Sequence, residues 1–294
     1  MHDDEVDIDE DLARRLIDAQ FSTYSGLSMR IVEPWGTDNA IWRLGHELVV
    51  RFPRIAWARG QVDFEATWLP RFTPLLPIEL PTPIAVGEPA FGYPFRWSLH
   101  RWVAGDGATS EGLADPNEYA RQLARVARSI WSMPTDGGRP ARNRARDARD
   151  YDDSTRTAIE SARAFVDVDA AVALWDAALA APPHTGGPVW VHGDLDFNCL
   201  ILDGRLSGLV DWGSACVGDP AVDVQGVWSE LFTESSRTVF LDAVGADDAV
   251  IARSRGAALH QACAALPYYL HTYPLIVRRS RHKLRALGVL LHDA

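Results

Sequence analysis

The sequence has few cysteines and no long apolar run. Its three cysteines, Cys199, Cys216 and Cys263, show no Cys-x-x-Cys spacing and do not form an even set, so neither a zinc site nor a disulfide framework is indicated. No apolar segment is long enough to cross a bilayer, and the acidic start MHDDEVDIDED lacks the basic region and apolar core of a signal peptide. We therefore expect a cytoplasmic protein with free, buried thiols and no membrane partner.

A basic excess is also missing. The 294 residues carry 29 Lys and Arg against 40 Asp and Glu, a net charge of −11, which argues against nucleic acid as a partner. Residues 151–250 hold 17 acidic residues against 4 arginines, a balance of −13, whereas residues 251–294 hold one acidic residue and seven basic ones. Such a bias usually reflects solvated helix surface. An acidic excess also favours the binding of a metal cation and of a polycationic small molecule.

Residues 189–223, VWVHGDLDFNCLILDGRLSGLVDWGSACVGDPAVD, concentrate the candidate functional residues. Residues 199–202 and 206–210 flank the turn pair Asp203-Gly204, which predicts a β-hairpin. Asp194 and Asn198 precede the first strand and Asp211 follows the second, so we expect these three side chains to meet at one end. The full set within these 35 residues is His192, Gly193, Asp194, Asn198, Asp211, Asp219 and Asp223.

Such a cluster suits phosphoryl transfer, which needs a carboxylate to accept a hydroxyl proton and hard oxygen ligands that hold Mg²⁺ against nucleotide phosphates. Asp194 fits the first role, and Asn198 with Asp211 fits the second. Each acid taken alone is more often a turn or cap residue, and Asp219, directly before Pro220, has the pattern of a helix N-cap. The spacing of the whole set favours a catalytic role.

The run from His192 to Asp223 resembles the aminoglycoside phosphotransferase family, which includes macrolide phosphotransferases. In that kinase-like family a His-Gly-Asp supplies the catalytic Asp, a following Asn and a strand-end Asp bind magnesium, and a Gly-Asp-Pro-x-x-Asp segment opens a helix. The resemblance implies that Asp194 is the base and Asp211 the main metal ligand. It also implies that His192, Asp219 and Asp223 support the catalytic loop.

One spacing departs from the family pattern. The family places the metal-binding Asn five positions after the catalytic Asp, whereas Asn198 follows Asp194 by four and Cys199 occupies the fifth position. Either the loop is one residue shorter, or Asn198 is not the ligand. Because Mg²⁺ prefers oxygen to a thiol and the residues after Asn198 suit a shortened loop, we predict that Asn198 rather than Cys199 faces the metal.

The first hundred residues predict a small antiparallel sheet. Residues 10–25 have the apolar spacing of an amphipathic helix, and three β-rich runs at 29–33, 40–44 and 47–52 predict a meander. The loop between the first two runs can cover phosphates with its backbone N–H groups, although it is equally an ordinary β-turn. Its candidate nucleotide-binding residues are Gly36, Thr37, Asp38 and Asn39.

Arg51, in the third run, stands where the family carries the lysine that positions the nucleotide. Arginine also pairs with phosphate and carboxylate, although its planar fork is not equivalent to an ammonium. A helix predicted over 55–71 carries Glu65, the candidate partner of Arg51; the alternative is a surface Arg and a surface Glu. By resemblance, the backbone around Leu99, Arg101 and Val103 hydrogen-bonds adenine.

The glycine-rich segment after Val103 is the predicted domain boundary. It separates a nucleotide-binding lobe, 1–103, from a catalytic and substrate-binding lobe, 104–294.

The second lobe is predicted to be mostly helical. Asp115 and Pro116 begin a helix that ends near Trp131, and the Arg-rich residues 135–150 are predicted to form a mobile loop. Further helices are predicted at 154–165, 168–181, 220–232 and about 247–290. Histidines outside the cluster lack metal-ligand spacing and are assigned no chemistry.

We therefore predict an α+β, two-lobed, protein-kinase-like fold, with an N-terminal antiparallel sheet, one main helix beside it, and a mostly helical C-terminal lobe. The predicted activity is Mg²⁺-dependent transfer of the γ-phosphate of ATP or GTP to a hydroxyl of a small molecule. A cationic antibiotic such as an aminoglycoside is the preferred substrate, so that inactivation would confer resistance. Three alternative functions are compatible with the sequence: a macrolide kinase, an amino-alcohol kinase and a non-catalytic nucleotide-binding module. The chain is expected to be a monomer or homodimer.

Overall fold

The computed structural model describes residues 5–32, 38–142 and 144–291. The chain divides into two compact units. The first unit contains the described residues up to Ala104 together with Gly208–Gly213. The second contains Gly105–Ser207 and the described residues from Ser214 onward. The chain therefore leaves the first unit after residue 104 and returns to it once, for six residues that include Asp211.

An antiparallel sheet of five strands forms the centre of the first unit, in the order β1-β2-β3-β5-β4. Every residue of the third strand is buried, because this strand lies between two neighbours and is apolar apart from Arg51, as an inner strand usually is. The strands are β1 (Met29–Ile31), β2 (Asn39–Leu44), β3 (Leu48–Pro53), β4 (Pro83–Gly87) and β5 (Trp97–Arg101).

Two helices accompany this sheet. Helix α1 (Glu10–Gln20) buries Leu16 and Ile17 in a core that includes Phe52 and Trp97, as its apolar spacing predicts. Helix α2 (Arg59–Phe72) follows β3 and buries its one-sided apolar face together with a single carboxylate, Glu65. The predicted helix over 55–71 thus begins with a 3-10 turn at Ala56–Ala58 and becomes α-helical at Arg59.

The second unit is mostly helical. Its helices are α3 (Pro116–Trp131), α4 (Asp152–Ser161), α5 (Val168–Ala180), α6 (Ala221–Val224), α7 (Glu234–Val244), α8 (Asp248–Tyr269) and α9 (Pro274–Leu287). Its short strands are β6 (Asp106–Gly107), β7 (Val189–Val191), β8 (Cys199–Leu202), β9 (Arg205–Leu209), whose last two residues enter the first unit, and β10 (Cys216–Gly218). Strand β7 pairs with β10, and β8 pairs with β6 and β9.

The predicted hairpin is formed by β8 and β9. Asp203 and Gly204 both have positive φ, 51° and 75°, the combination that a two-residue hairpin turn requires and that Asp-Gly adopts readily. Gly204 also lies against Ala114, whose backbone nitrogen would be 3.0 Å from a Cβ at this position. The turn therefore fixes the register that places Asn198 before one strand and Asp211 after the other.

The C-terminal helices differ from the prediction. The single helix expected over about 247–290 is two helices, because Pro274 has no N–H to continue α8 and instead begins α9. Helix α7 was not predicted; its capping box joins Thr233 to Ser236 rather than to the Glu or Gln that the sequence signature uses. The helix expected over 220–232 is the short α6 followed by a 3-10 turn at Gln225–Trp228.

Two composition-based predictions can also be compared with the fold. All three cysteines are free and buried, as the absence of a cysteine pattern predicts. In the described part of the chain, no helix combines the length and apolar character needed to cross a membrane.

Candidate active site

Strand β7 carries the chain to His192, which is fully buried, and to Gly193 and Asp194 directly after it. Gly193 has φ 83°, a left-handed conformation that side chains with a Cβ rarely adopt. A Cβ here would also lie 3.1 Å from the Ser214 carbonyl oxygen. The sharp turn at Gly193 therefore needs glycine, and it determines the direction in which Asp194 leaves the strand.

Asp223, in the short helix α6, binds the backbone of this turn. Its buried carboxylate accepts hydrogen bonds from the backbone N–H groups of His192 (3.1 Å) and Gly193 (2.8 Å) and from the indole N–H of Trp131 (3.0 Å). Burial raises the pKa of Asp223, although the nearby His192 and these N–H donors oppose the rise. These contacts attach the His192–Gly193 turn to α6 and to Trp131 of α3.

Asp194 is partly exposed, with 25% of its side chain accessible. Its Oδ1 lies 2.9 Å from Nη1 of Arg144 and accepts a hydrogen bond from Nε2 of Gln261 at 3.1 Å. Arg144 also donates to the Gly193 carbonyl at 2.7 Å. Burial raises the pKa of Asp194, but Arg144, Lys283, His192 and Gln261 together outweigh it, so the pKa is lowered. Asp194 is therefore a carboxylate at neutral pH.

Asn198 turns its amide nitrogen toward the same loop. Nδ2 donates to the Asp194 carbonyl at 3.1 Å and approaches the Asp194 carboxylate at 3.4 Å, so Oδ1 is the atom with which Asn198 can serve as an oxygen ligand. Cys199, by contrast, is fully buried and donates its thiol to the Leu195 carbonyl at 3.1 Å. Burial raises the pKa of Cys199 to about 12, so the thiol stays protonated within the core.

A buried ion pair below the loop was not predicted. Lys283, the only lysine of the sequence, lies on α9 with 3% of its side chain exposed and donates to Asp196 at 3.0 Å and to Gln261 at 2.7 Å. Because Gln261 in turn donates to Asp194, the contacts run from α9 through α8 to the proposed base. The signal available in the sequence was a second acid two positions after Asp194 together with a single lysine.

Asp219 combines two contacts. Its Oδ1 accepts a hydrogen bond from the Ala221 N–H at 2.9 Å, the two-residue contact of an Asp turn. The predicted N-cap role is wrong, because Pro220 and not Asp219 occupies the N-cap position of α6. Its Oδ2 lies 2.7 Å from Nε of Arg253 on α8, which the sequence did not indicate. Asp219 therefore attaches the start of α6 to α8.

In the first unit, Arg51 on β3 and Glu65 on α2 form a close ion pair. Nη1 of Arg51 lies 2.7 and 2.6 Å from the two Glu65 oxygens, and 10% and 2% of these two side chains are exposed. The alternative of a surface Arg and a surface Glu is therefore wrong. Burial lowers the pKa of Arg51, but Glu65, Asp211 and Asp38 outweigh it and the pKa is raised, so the guanidinium is permanently charged.

Asp211 belongs to the same unit and lies 3.7 Å from Nη2 of Arg51, with 51% of its side chain exposed. Its φ is 57°, a left-handed conformation that Asp tolerates better than most residues. The surrounding segment is attached on both sides: the Leu209 N–H donates to the Glu79 carbonyl at 3.1 Å, and Trp212 packs on Phe72 with ring centroids 5.4 Å apart. An accessible hard carboxylate is thus held beside Arg51.

The remaining predicted nucleotide-binding residues lie in the same unit. Asn39 donates to Gln61 at 3.1 Å, and Gln61 approaches Asp38 at 3.5 Å. Because Gln61 belongs to α2, this helix holds Asp38 and Asn39 in place at the start of β2. Gly36 and Thr37 lie outside the described residues. Leu99 is buried within β5, the Arg101 N–H is used by the Thr82 carbonyl at 2.9 Å, and Val103 is buried just beyond the strand.

Among the described residues, no group of three or more His, Cys, Asp and Glu side chains is arranged to hold a metal ion. A Mg²⁺ that arrives with a nucleotide does not need such a group, because it takes one or two protein oxygens and completes its shell with phosphates and water. The exposed Asp211 carboxylate and the Asn198 amide oxygen are donors of the type that Mg²⁺ prefers. Each of them therefore has the chemistry of one of the few protein ligands that such a metal takes.

Comparison with known proteins identifies the family of this chain. The model of a family described as the phosphotransferase enzyme family matches residues 32–259. The chain belongs to this family. No curated protein matches it in sequence.

Solved structures show that the fold is also that of the family. The GDP complex of aminoglycoside 2'-phosphotransferase-IIIa superposes with a TM-score of 0.75 at 20% identity, over 96% of this chain and 98% of that one. The apoenzyme of a macrolide 2'-phosphotransferase from Brachybacterium faecium gives 0.59 at 22% identity, over 92% and 97%. A streptomycin–ATP ternary complex of APH(2")-IIa gives 0.62 at 17% identity, over 92% of each chain. The kinase-like fold and the family resemblance are thereby confirmed.

Proposed function

We propose that this phosphotransferase moves the γ-phosphate of ATP or GTP to a hydroxyl of a small molecule. The observation that carries the proposal is the state of Asp194: a partly exposed carboxylate with a lowered pKa, held by Arg144 and Gln261 on a loop that Asp223 braces. A carboxylate that is ionised and fixed in direction can orient a hydroxyl group, which is the main demand of a loose phosphoryl-transfer transition state.

In the proposed reaction, Asp194 accepts a hydrogen bond from the acceptor hydroxyl. The hydroxyl oxygen forms a bond to the γ-phosphorus, the bond between that phosphorus and the β–γ bridging oxygen breaks, and ADP or GDP leaves with the electron pair. The hydroxyl proton passes to Asp194 and then to solvent. The lowered pKa of Asp194 makes it a weak base, so its contribution is mostly positional.

The nucleotide roles are assigned mainly to the first unit, with Asn198 contributed by the second. Arg51, oriented by Glu65, would bind phosphate oxygens; Asp211 with Asn198 would hold Mg²⁺, which when bound neutralises charge on the phosphates. The loop residues Gly36, Thr37, Asp38 and Asn39 would cover the phosphates, and the backbone of Leu99, Arg101 and Val103 would receive the base. Residues 1–103, together with the returning segment Gly208–Gly213, would thus form the nucleotide lobe, and the rest of residues 104–294 the catalytic and acceptor lobe.

For the acceptor, hydroxylated antibiotics are the first class to test, with inactivation and resistance as the consequence. The support is that solved relatives of this fold are described as aminoglycoside and macrolide phosphotransferases and are complexed with GDP, ATP, kanamycin or streptomycin. A cytoplasmic enzyme would act where ATP, GTP and Mg²⁺ are available. Amino alcohols form the third group of the screen.

The test is acceptor-dependent release of ADP or GDP in the presence of Mg²⁺, with mass-spectrometric detection of the phosphorylated product. Asp194→Asn should lower kcat by about 10²- to 10⁴-fold, with nucleotide binding retained. Asp203→Asn is the matched control, because this exposed turn residue undergoes the same change nine positions further along. Equal activity of the two variants would overturn the assignment of Asp194. Absence of nucleotide binding by the unmodified protein would overturn the function.

A further inference from the structure

A cavity of about 330 Å³ lies in the second unit, and it is formed entirely by residues of that unit. Two of its lining residues, Arg144 and Gln261, contact Oδ1 of the Asp194 carboxylate. The volume is that of a small-molecule site. The cavity therefore adjoins the proposed base, where an acceptor molecule must lie.

The charges in the cavity wall are mostly positive. Three arginines line it, Arg144, Arg146 and Arg253, and Asp219 is the acidic side chain among the lining residues of the described chain. Asp219 is already paired with Arg253 at 2.7 Å. Of the 17 acidic residues in 151–250, this wall therefore contains one, and its charge is compensated.

Arg146 differs from the other two arginines. Its guanidinium carbon lies 5.6 Å from the centre of the Tyr151 ring, but among the described residues its side chain has no ion pair or hydrogen bond, whereas Arg144 is paired with Asp194 and Arg253 with Asp219. A partly buried guanidinium without an acceptor is unfavourable. An anionic group in the cavity would supply the missing acceptor.

The other polar lining groups are neutral. Burial raises the pKa of Tyr151 to about 12, so its hydroxyl is not ionised at pH 7. Burial lowers the pKa of His260, and Arg144 and Arg146 lower it further, so its imidazole is uncharged at pH 7. The rest of the wall is built largely from alanines of α8 and from tyrosines, including Tyr268 and Tyr269, which present apolar surface.

We propose that the acceptor is a hydroxylated molecule with an apolar or aromatic body and an anionic group such as a carboxylate, bound in this cavity with its anion at Arg146. The proposal rests on the phosphotransferase function proposed above and names its substrate class. A polycation would meet three arginines and would find no uncompensated carboxylate in the described wall. The apolar body suits the alanine and tyrosine surface, and the hydroxyl would then be directed to Asp194.

The experiment compares three probes of equal size that differ in charge: phenyllactate, its neutral amide phenyllactamide, and the cationic amino alcohol phenylalaninol. Each carries a hydroxyl group and one aromatic ring. Kanamycin serves as the polycation. Binding of each to the full chain is measured by titration calorimetry at low and high ionic strength, followed by phosphorylation assays with Mg²⁺ and ATP or GTP.

Phenyllactate should bind about tenfold more tightly than phenyllactamide, as expected for a charge-assisted hydrogen bond, and phenylalaninol and kanamycin should bind most weakly. Arg146→Gln should remove the preference for phenyllactate over its amide, Arg146→Lys should restore part of it, and Arg142→Gln, an exposed neighbour outside the cavity, should leave it unchanged. High salt should weaken phenyllactate binding most.

Three results would each overturn the proposal. The first is tighter binding of phenylalaninol or kanamycin than of phenyllactate, the second is an unchanged preference for phenyllactate over its amide in Arg146→Gln, and the third is failure of all three aromatic probes to bind. The phosphotransferase function is judged separately by nucleotide binding with Mg²⁺ and by slow nucleotide hydrolysis without acceptor. Nucleotide turnover combined with a preference for cations would overturn the substrate class and leave the function standing.

Discussion

At the scale of single residues, Arg144 is the side chain with the most direct influence on Asp194. One guanidinium nitrogen lies within hydrogen-bonding distance of both the Asp194 carboxylate and the Gly193 carbonyl. Arg144 belongs to the Arg-rich residues 135–150, which the sequence predicts to form a mobile loop. Structurally, this segment contributes the cation that keeps the proposed base ionised.

We predict that Arg144→Gln raises the pKa of Asp194, because the largest of the influences that lower it is removed. The acidic limb of the pH profile of kcat/KM should then move to higher pH, since Asp194 must be ionised to accept the hydroxyl proton. At neutral pH, kcat/KM should fall about tenfold through loss of a charged hydrogen bond. Arg142→Gln should reproduce neither effect, and an unmoved acidic limb would contradict the role of Arg144.

Asp211 gives a second prediction at this scale. Asp211→Asn should weaken Mg²⁺-dependent nucleotide binding about tenfold or more, because a charged hard ligand becomes a neutral one, while Asn still tolerates the positive φ. Without Mg²⁺ the nucleotide affinity should be equal or higher, because Arg51 loses a neighbouring carboxylate at 3.7 Å. Binding is measured with Mg²⁺ and with EDTA. An equal loss in both conditions would show that Asp211 does not act through the metal.

At the scale of elements, helices α8 and α9 hold the catalytic segment. Arg253 and Gln261 of α8 contact Asp219 and Asp194, and Lys283 of α9 contacts Asp196. Each contact joins a helix side chain to a different carboxylate of the segment. The last two helices therefore support the position of the proposed base although neither carries it.

We predict that Lys283→Met lowers the free energy of unfolding by about 3–5 kcal/mol, because Asp196 is left as an uncompensated buried charge. Adding Asp196→Asn should recover part of this loss, so the two changes should be non-additive in a double-mutant cycle. Stability is measured by urea unfolding. Arg285→Met, an exposed change on the same helix, should stay within about 0.5 kcal/mol, and additivity of the two buried changes would argue against the pair.

At the scale of the whole molecule, each unit contains a group of buried polar side chains that contact one another. In the first unit this group consists of Arg51, Glu65 and His100; His100 is fully buried, and its Nε2 lies 3.8 Å from Glu65. Its Nδ1 lies 2.8 Å from the Pro81 carbonyl and its Nε2 lies 2.7 Å from the Ser98 hydroxyl. Burial lowers the pKa of His100, and Arg51 adds to the effect, although Glu65 opposes it.

The lowered pKa predicts how stability depends on pH. Below about pH 6.5, the unfolded chain binds a proton on this histidine that the folded chain does not, so the free energy of unfolding should fall as the pH falls. The slope per histidine can reach about 1.4 kcal/mol per pH unit. His260 and His282, whose pKa values burial also lowers, act in the same direction.

His100→Gln should therefore reduce the slope of stability against pH between about 6.5 and 5, without abolishing it. The measurement is urea unfolding at several pH values, and the same change at exposed His46 reports the effect of the substitution itself. An unchanged slope in His100→Gln would show that this histidine is protonated equally in both states.

Local sequence signals determined much of this protein. The Asp203-Gly204 pair fixed a hairpin because these residues adopt positive φ readily. Residue patterns predicted α1 and the strands β1, β2 and β3, and the Asp115-Pro116 pair predicted the start of α3, whereas β4 was not predicted. The His-Gly-Asp run and its spacing to Asp211 identified the family. These features depend on residues close together in the chain, where backbone preferences and side-chain period decide the outcome.

The surroundings of the proposed base were decided only by the tertiary structure. Arg144, Gln261 and Lys283 lie 50, 67 and 89 positions from Asp194 in the sequence, and no local pattern connects them. The acidic balance of residues 151–250 likewise did not indicate the charge of the cavity wall, because the arginines of this wall lie outside that range: Arg144 and Arg146 precede it, and Arg253 of α8 follows it. Composition counts charges along the chain, whereas a ligand meets those that packing brings to one surface.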